Sequence, residues 1–365
     1  MTPDGNANRR DAVKQPGLWV LLLLTVLGVV GLVALMRTDS GPPARNTLPP
    51  SFDYDLSSLA KVDPKWIGYE PTAWFPVAMR VVRGVALGPD GLICVAGDRA
   101  IHVLEPDDGR LRRKIALDEA PRCLAADGDL FYVGFENHVA VVDLDGTVSA
   151  QWDSRGPDAL LTSIAVSQDD VFVADAGTKC VLRYDKSGKM TATLARRDAR
   201  RNVPALVIPS PYCDVAVGSD GLLRVVNPGR HRIEYFTRRG DYEAPLTWGQ
   251  SGLAIERFCG CCNPVAIALL ADNRVVTAEK GIPRVKVYSA EGRFECVVAS
   301  PEQLTSTDTM TEETRTAHKL LAVDLAVDRQ GRILVLDPAA RGVRVFVKKK
   351  PHAADDSESG EVNDE

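Results

Sequence analysis

The chain is 365 residues long, 45% hydrophobic and 25% charged, a globular composition with length enough to bury a sizeable core as one large domain or two ordinary ones. Its net charge of −5 gives no general electrostatic reason to expect nucleic acid as a partner. Nor do aromatic residues interleave the basic ones as they do in single-strand binders.

Residues 1–17 read as a cytoplasmic N-terminal segment. They precede Leu18–Met36, "LWVLLLLTVLGVVGLVALM", 19 residues without a charge. At 1.5 Å per residue a helix of that length spans roughly 28 Å, close to the hydrocarbon thickness of a bilayer. A cleaved signal peptide has a shorter apolar region and a small-residue cleavage site; here the run is longer and "RTDSGPPARN" follows. The expectation is an uncleaved single-pass anchor in the plasma (inner) membrane. Arg9, Arg10 and Lys14 before the span, against Arg37 and Arg45 after it, place the N-terminus inside and the bulk of the chain outside the cytoplasm. Disulfides persist in such a compartment. Residues 37–63 are Pro-rich and polar and read as a semi-rigid linker.

From 64 to 349 the sequence repeats. Each unit has an apolar strand carrying an Ala, a turn with Asp or Gly, a second apolar strand, a short polar loop and a third strand, as in "GVALGPDGLICVAG", "DVAVGSDGLLRVVN" and "DLAVDRQGRILVLD". The anchors Ala86, Ala125, Ala165, Ala216, Ala268 and Ala326 are spaced by 39, 40, 51, 52 and 58 residues. Several short strands per unit at that period predict a propeller. A fourth strand is expected in the first five units, including "YEAPLTW" in the fourth. The sixth unit stops at "GVRVFVKKK", and its open edge requires a cover. The apolar and aromatic segment Pro64–Met79 has the content to supply it. The prediction is an all-β, six-bladed β-propeller closed by its own N-terminal segment. Residues 350–365, acidic and without periodicity, read as a disordered tail.

The units resemble NHL repeats. Pro264–Phe294 and Asp214–Tyr242 are most similar to that pattern, in which the second strand ends in Asp and the third opens Asn-His-Arg-Ile. Asp175, Asn227, Glu279 and Asp337 hold the first position here, and "RHRI" (Arg230–Ile233) nearly reproduces the second. The resemblance covers about three-quarters of the chain and implies a six-bladed propeller; a fold by itself does not set an activity.

In a blade, inter-blade loops and the loops joining second to third strands share one face. The three wide spacings come from inter-blade insertions, so this face carries the extra sequence: Arg196–Tyr212, Gly249–Asn263 and Ser300–Lys319. Long loops on a rigid scaffold are where function usually sits. The second insertion ends in "FCGCCNP", with Cys259, Cys261 and Cys262 within four positions; Cys123 and Cys213 enter corresponding inter-blade positions. One reading is a disulfide staple, for instance to Cys213. Another is a thiolate-bound metal or iron–sulfur cluster held by these five cysteines. A third is a redox-active or free thiol. Adjacent cysteines strain a bridge between themselves, which assigns Cys261 and Cys262 different partners. Cys94, Cys180 and Cys296 lie inside strands and read as small buried hydrophobes.

Basic residues at Lys179, Arg196, Arg197, Arg200, Arg201, Arg230, Lys280, Arg284 and Arg341 offer the same face a patch for an anionic ligand or a protein. His102, His138 and His231 begin third strands, as the repeat itself prescribes. Asp175, Asn227, Glu279 and Asp337 read as turn caps, with a lactonase-like Ca²⁺ site as their sharper alternative. The function expected first is a membrane-tethered binding or scaffold module whose loop-rich face centres on Glu279, Lys280, Arg284, Arg230 and Asn263. The alternative is a metal- or cluster-bearing redox protein built on the cysteines. A Ca²⁺-dependent lactonase or lyase comes third.

Overall fold

The computed structural model describes residues 61–305 and 323–350. They form six antiparallel sheets, each a blade. Blades one to three each have four strands in sequence order, starting at Val82–Leu87, Cys123–Asp127 and Leu161–Val166. Blade four has three (Val215–Val217, Leu223–Asn227, Arg232–Phe236), and blade five has four, starting at Ala266–Leu269. Blade six joins Asp324–Val327, Ile333–Asp337 and Gly342–Lys348 to an outer strand from the other end of the propeller, Tyr69–Pro76. That strand runs antiparallel to Gly342–Lys348, from Tyr69 opposite Lys348 to Pro76 opposite Gly342. The open edge is thus covered as expected, within Pro64–Met79.

The apolar side chains fall into six buried clusters, and each belongs to one junction between neighbouring blades. Ile101, Phe131 and Val142 pack between blades one and two. Phe172, Val225 and Phe236 pack between three and four, and Phe75, Val85, Leu334 and Val343 close the ring between six and one. The strand patterns follow. Inner strands are buried on both faces, as in Ile93–Gly97 and Val275–Glu279, because a neighbour lies on each side. Outer strands are mostly exposed, as in Leu111–Ala116.

The expected fourth strand of blade four is not formed. Its place is taken by a 3₁₀ turn at Ala244–Leu246 and two isolated bridges, Ile233 to Trp248 and Phe236 to Tyr242. Pro245 sits in that turn; it has no N–H for a ladder and its φ is fixed near the helical value. The neighbouring edge is still satisfied: Ile233 and Trp248 exchange backbone hydrogen bonds and the Glu243 amide donates to the Tyr235 carbonyl.

A second joint ties the rims. Trp152 of blade two lies against Gly188 in the last hairpin of blade three, and Trp248 lies in the same way against Gly292 of blade five. A Cβ on Gly292 would stand 2.2 Å from Trp248, and its φ of 84° is one that side-chain-bearing residues avoid. Among the described residues no helix is long and apolar enough to cross a membrane. The run Leu18–Met36, the linker as far as residue 60, and the tail beyond residue 350 lie outside the described residues.

Candidate functional site

Three inter-blade insertions precede blades four, five and six, and in blades four and five the end of the second strand reaches up to hold its insertion. In blade five this residue is Glu279. Its carboxylate is fully enclosed, 2.9 Å from Arg284 Nη2 and 2.6 Å from Lys286 Nζ, both from the third strand and both buried. Lys286 also donates to the carbonyls of Ile255 (3.0 Å) and Arg257 (2.8 Å), and its ammonium lies over the Phe258 and Tyr288 rings. The Tyr288 hydroxyl donates to the Glu256 carbonyl, and the Cys259 amide donates to Glu279. One buried ion triplet therefore fixes the course of Gly249–Cys259. Burial lowers the Lys286 ammonium to about 8 against the attraction of Glu279.

The turn that follows, Cys259–Asn263, is clamped by one side chain. Asn263 Nδ2 donates to the carbonyls of Cys259 and Lys280, the latter at 2.9 Å, and its Oδ1 accepts from the Lys280 amide at 2.9 Å. An inter-blade loop and a second-to-third hairpin thus meet on one face, as the alternation of strands requires. Cys262 is buried and Cys261 exposed, with their sulfurs 3.3 Å apart. Burial pushes the Cys262 thiol up, but Ser210, Cys261 and Lys280 together outweigh it and bring the thiol down. The Cys261 thiol is pushed up, first by its hydrogen bond to Cys262. The Lys280 ammonium sits 5.1 Å over the Tyr212 ring, linking this turn to the first insertion.

Several expectations need correction. The five cysteines do not converge. Cys123 packs in the junction of blades two and three and Cys213 in that of three and four, where burial pushes both thiols up. Cys213 donates to the Val226 carbonyl rather than meeting the Cys259–Cys262 turn. All eight cysteines are free, and among the described residues no three His, Cys, Asp or Glu side chains are gathered as for a metal ion. Cys261 and Cys262, expected to take different partners, face each other. Glu279, Arg284 and Asn263 are buried and shape the face from beneath, whereas Lys280, Arg230 and Cys261 reach its surface. Asp175 and Asp337 do cap turns, accepting from the amides of Gly177 and Thr178 and of Ala339 and Ala340; Glu279 instead binds two cations.

The basic residues are also not one patch. Arg284 is consumed by Glu279, and Arg201 is bound 2.7 Å from Asp241 in the turn after blade four's third strand. Arg196, Arg197 and Arg200 join Arg201 around a cleft of about 590 Å³ at the start of the first insertion. Asp198 shapes this loop by accepting from the amides of Arg200 and Arg201 and exchanging backbone bonds with Val203.

The axial channel, about 420 Å³, holds two residues that the sequence reading missed. At the position two residues before each Ala anchor stand Gly84, Cys123, Ser163, Asp214, Ala266 and Asp324. Where that side chain can accept, it takes the amide one position on in the next blade. Ser163 accepts from Val215 (3.3 Å), Asp214 from Ile267 (2.6 Å) and Asp324 from Val85 (2.8 Å). Asp324 thereby joins the last blade to the first. Burial raises Asp214 to about 6; burial and then the charge of Asp214 raise Asp324 to about 7. The signal was present in the sequence: a carboxylate opening an apolar strand at a repeat position otherwise filled by small residues.

No family model matches the chain, and no curated protein matches it. Solved structures do. A streptogramin B lyase aligns over 79% of this chain and all of its own, at 12% identity and a TM-score of 0.54. Virginiamycin B lyase from Staphylococcus aureus aligns over 76% of this chain and 99% of its own, at 12% identity and a TM-score of 0.50. A protein of unknown function from Bacteroides thetaiotaomicron aligns over 76% and 72%, at 13% identity and a TM-score of 0.54. At such identities the likeness is one of fold.

Proposed function

We propose that this chain is a membrane-tethered binding module of NHL-like repeats that receives an anionic partner, ligand or protein, on its loop-rich face. One observation carries the reading. The second insertion is not a slack connection but is built around a buried ion triplet, with Lys286 spending its protons on the loop's own carbonyls. Burying three charges beneath a surface loop costs desolvation free energy that only close pairing and further hydrogen bonds offset, and here those bonds go to the loop itself. Lys280 and Arg230 at the surface, and the arginine-lined cleft of the first insertion, supply positive charge in an otherwise acidic chain. The 19 uncharged residues Leu18–Met36 support the tether.

The test is photo-crosslinking of the full-length chain in its native membrane. A photoreactive residue at Arg230, Leu253 or Lys280 should yield discrete adducts, and one at Leu130 or Met190, in the hairpins of the opposite face, should not. Equal labelling from both faces would contradict the proposal. A second reading, a lyase, is favoured by the two channel carboxyls, whose raised proton affinity suits acid–base work near neutrality, and by the names of two structural neighbours. It requires that Asp214→Asn and Asp324→Asn abolish turnover of a substrate while the fold persists.

A further inference from the structure

We propose that Cys261 and Cys262 are a redox-active vicinal dithiol that closes into a disulfide by exchange with an external disulfide. Three observations place it there. The two sulfurs lie 3.3 Å apart, one hydrogen-bonded to the other, so the pair is preassembled. It is also asymmetric in access: Cys261 is exposed, while Cys262 is buried beside the Ser210 hydroxyl and the Lys280 ammonium. The turn that carries both is rigidly held at each end, by Asn263 on the Cys259 and Lys280 carbonyls and by Glu279 on the Cys259 amide. The remaining cysteines with resolved shifts (Cys94, Cys123, Cys180, Cys213 and Cys296) are held in the protonated form by burial. The inference is independent of what the loop-rich face binds.

In the resting pair the negative charge is favoured on Cys262 and the proton on Cys261. Cys262 takes that proton across the 3.3 Å contact as the exposed sulfur attacks, and releases it to solvent before the second step. Cys261 attacks one sulfur of an external disulfide, forming a mixed disulfide and expelling one thiolate. Cys262, its negative charge favoured by Lys280 and Ser210, then attacks Cys261 Sγ and expels the second thiolate. The protein loses two electrons and two protons, and one external disulfide becomes two thiols.

The experiment treats the reduced full-length chain with oxidised glutathione, unfolds it in guanidinium, alkylates the remaining thiols with N-ethylmaleimide, and reads the peptide spanning 258–264 by mass spectrometry. Wild type should lose nearly all alkylation at Cys261 and Cys262, keep it at Cys259, carry no glutathione, and regain both labels after dithiothreitol. Cys262→Ser should trap glutathione on Cys261, and Cys261→Ser should not react at Cys262, which is buried. A wild-type peptide alkylated at both positions, one retaining glutathione, or one linking Cys259 to either neighbour would each overturn the assignment. The serine variants leave the ion triplet beneath the loop untouched, so loss of exchange would not reflect loss of the fold.

Discussion

Blades four and five use the same repeat positions with opposite chemistry. In blade five the second strand ends in Glu279 and the third strand supplies Arg284 and Lys286. In blade four the second strand ends in Asn227 and the acid comes from the third strand as Glu234, at the place of Lys286. Asn227 holds its insertion through neutral bonds, accepting from the Val207 amide and donating to the Ala205 carbonyl and to Glu234 Oε1. The other oxygen of Glu234 is buried without a hydrogen-bond partner, and burial pushes its carboxyl up. Blade six follows blade five: Arg344 pairs with Asp337 and donates to the Leu304 carbonyl in the short helix Pro301–Thr305. The repeat thus preserves a task, capture of the preceding insertion, and not the charges that perform it.

The largest break in this comparison should come from Lys286→Met. It strands Glu279 with Arg284 alone and frees the carbonyls of Ile255 and Arg257, so a loss of about 3–5 kcal/mol is expected in denaturant unfolding. The equivalent change in blade four, Glu234→Gln, should do the reverse on a smaller scale. A carboxyl with raised proton affinity costs stability as pH rises above the ordinary glutamate value, and the amide removes that dependence.

The joints between the two blades rank next. Gly292→Ala should cost about 1–3 kcal/mol in thermal unfolding, since the left-handed backbone is strained by a Cβ and Trp248 must withdraw. Asp214 is subtler. Its folded proton affinity exceeds the unfolded value, so its cost is absent below about pH 4, grows as pH rises toward about 6 and is complete above it. Asp214→Asn should flatten stability across that window. At pH 8 it should gain on the order of 1 kcal/mol, the lost charge outweighing the loss of one of its two amide bonds, from Ile267 or Val215. A variant that instead loses stability equally at every pH would show that the bond, and not the charge, dominates.

The architecture was legible because a blade's burial pattern is local: apolar strands at a fixed period name six blades, and an unpaired edge demands a closing strand, found at Tyr69–Pro76. Blade four's missing strand was legible too, in Pro245, had the proline been weighed above the repeat. The site was less so. Position on a face follows from topology, but depth does not; Cys123 and Cys213 occupy inter-blade positions yet sink into the junctions. Likewise Glu279 and Arg284 read as surface charges, because the sequence does not show which cations of the next strand will lie within 3 Å of a carboxylate.

Whether the loop-rich face is preformed can be read from amide hydrogen exchange of the full-length wild-type protein across residues 250–263. Gly252 and Phe258, bonded to the Phe258 and Gln250 carbonyls, and Cys259, bonded to Glu279, should exchange slowly, comparably to amides of the inner strands. Exchange of these three at the rate of an unstructured chain would show that the insertion is not held by the ion triplet and that the face is not preformed.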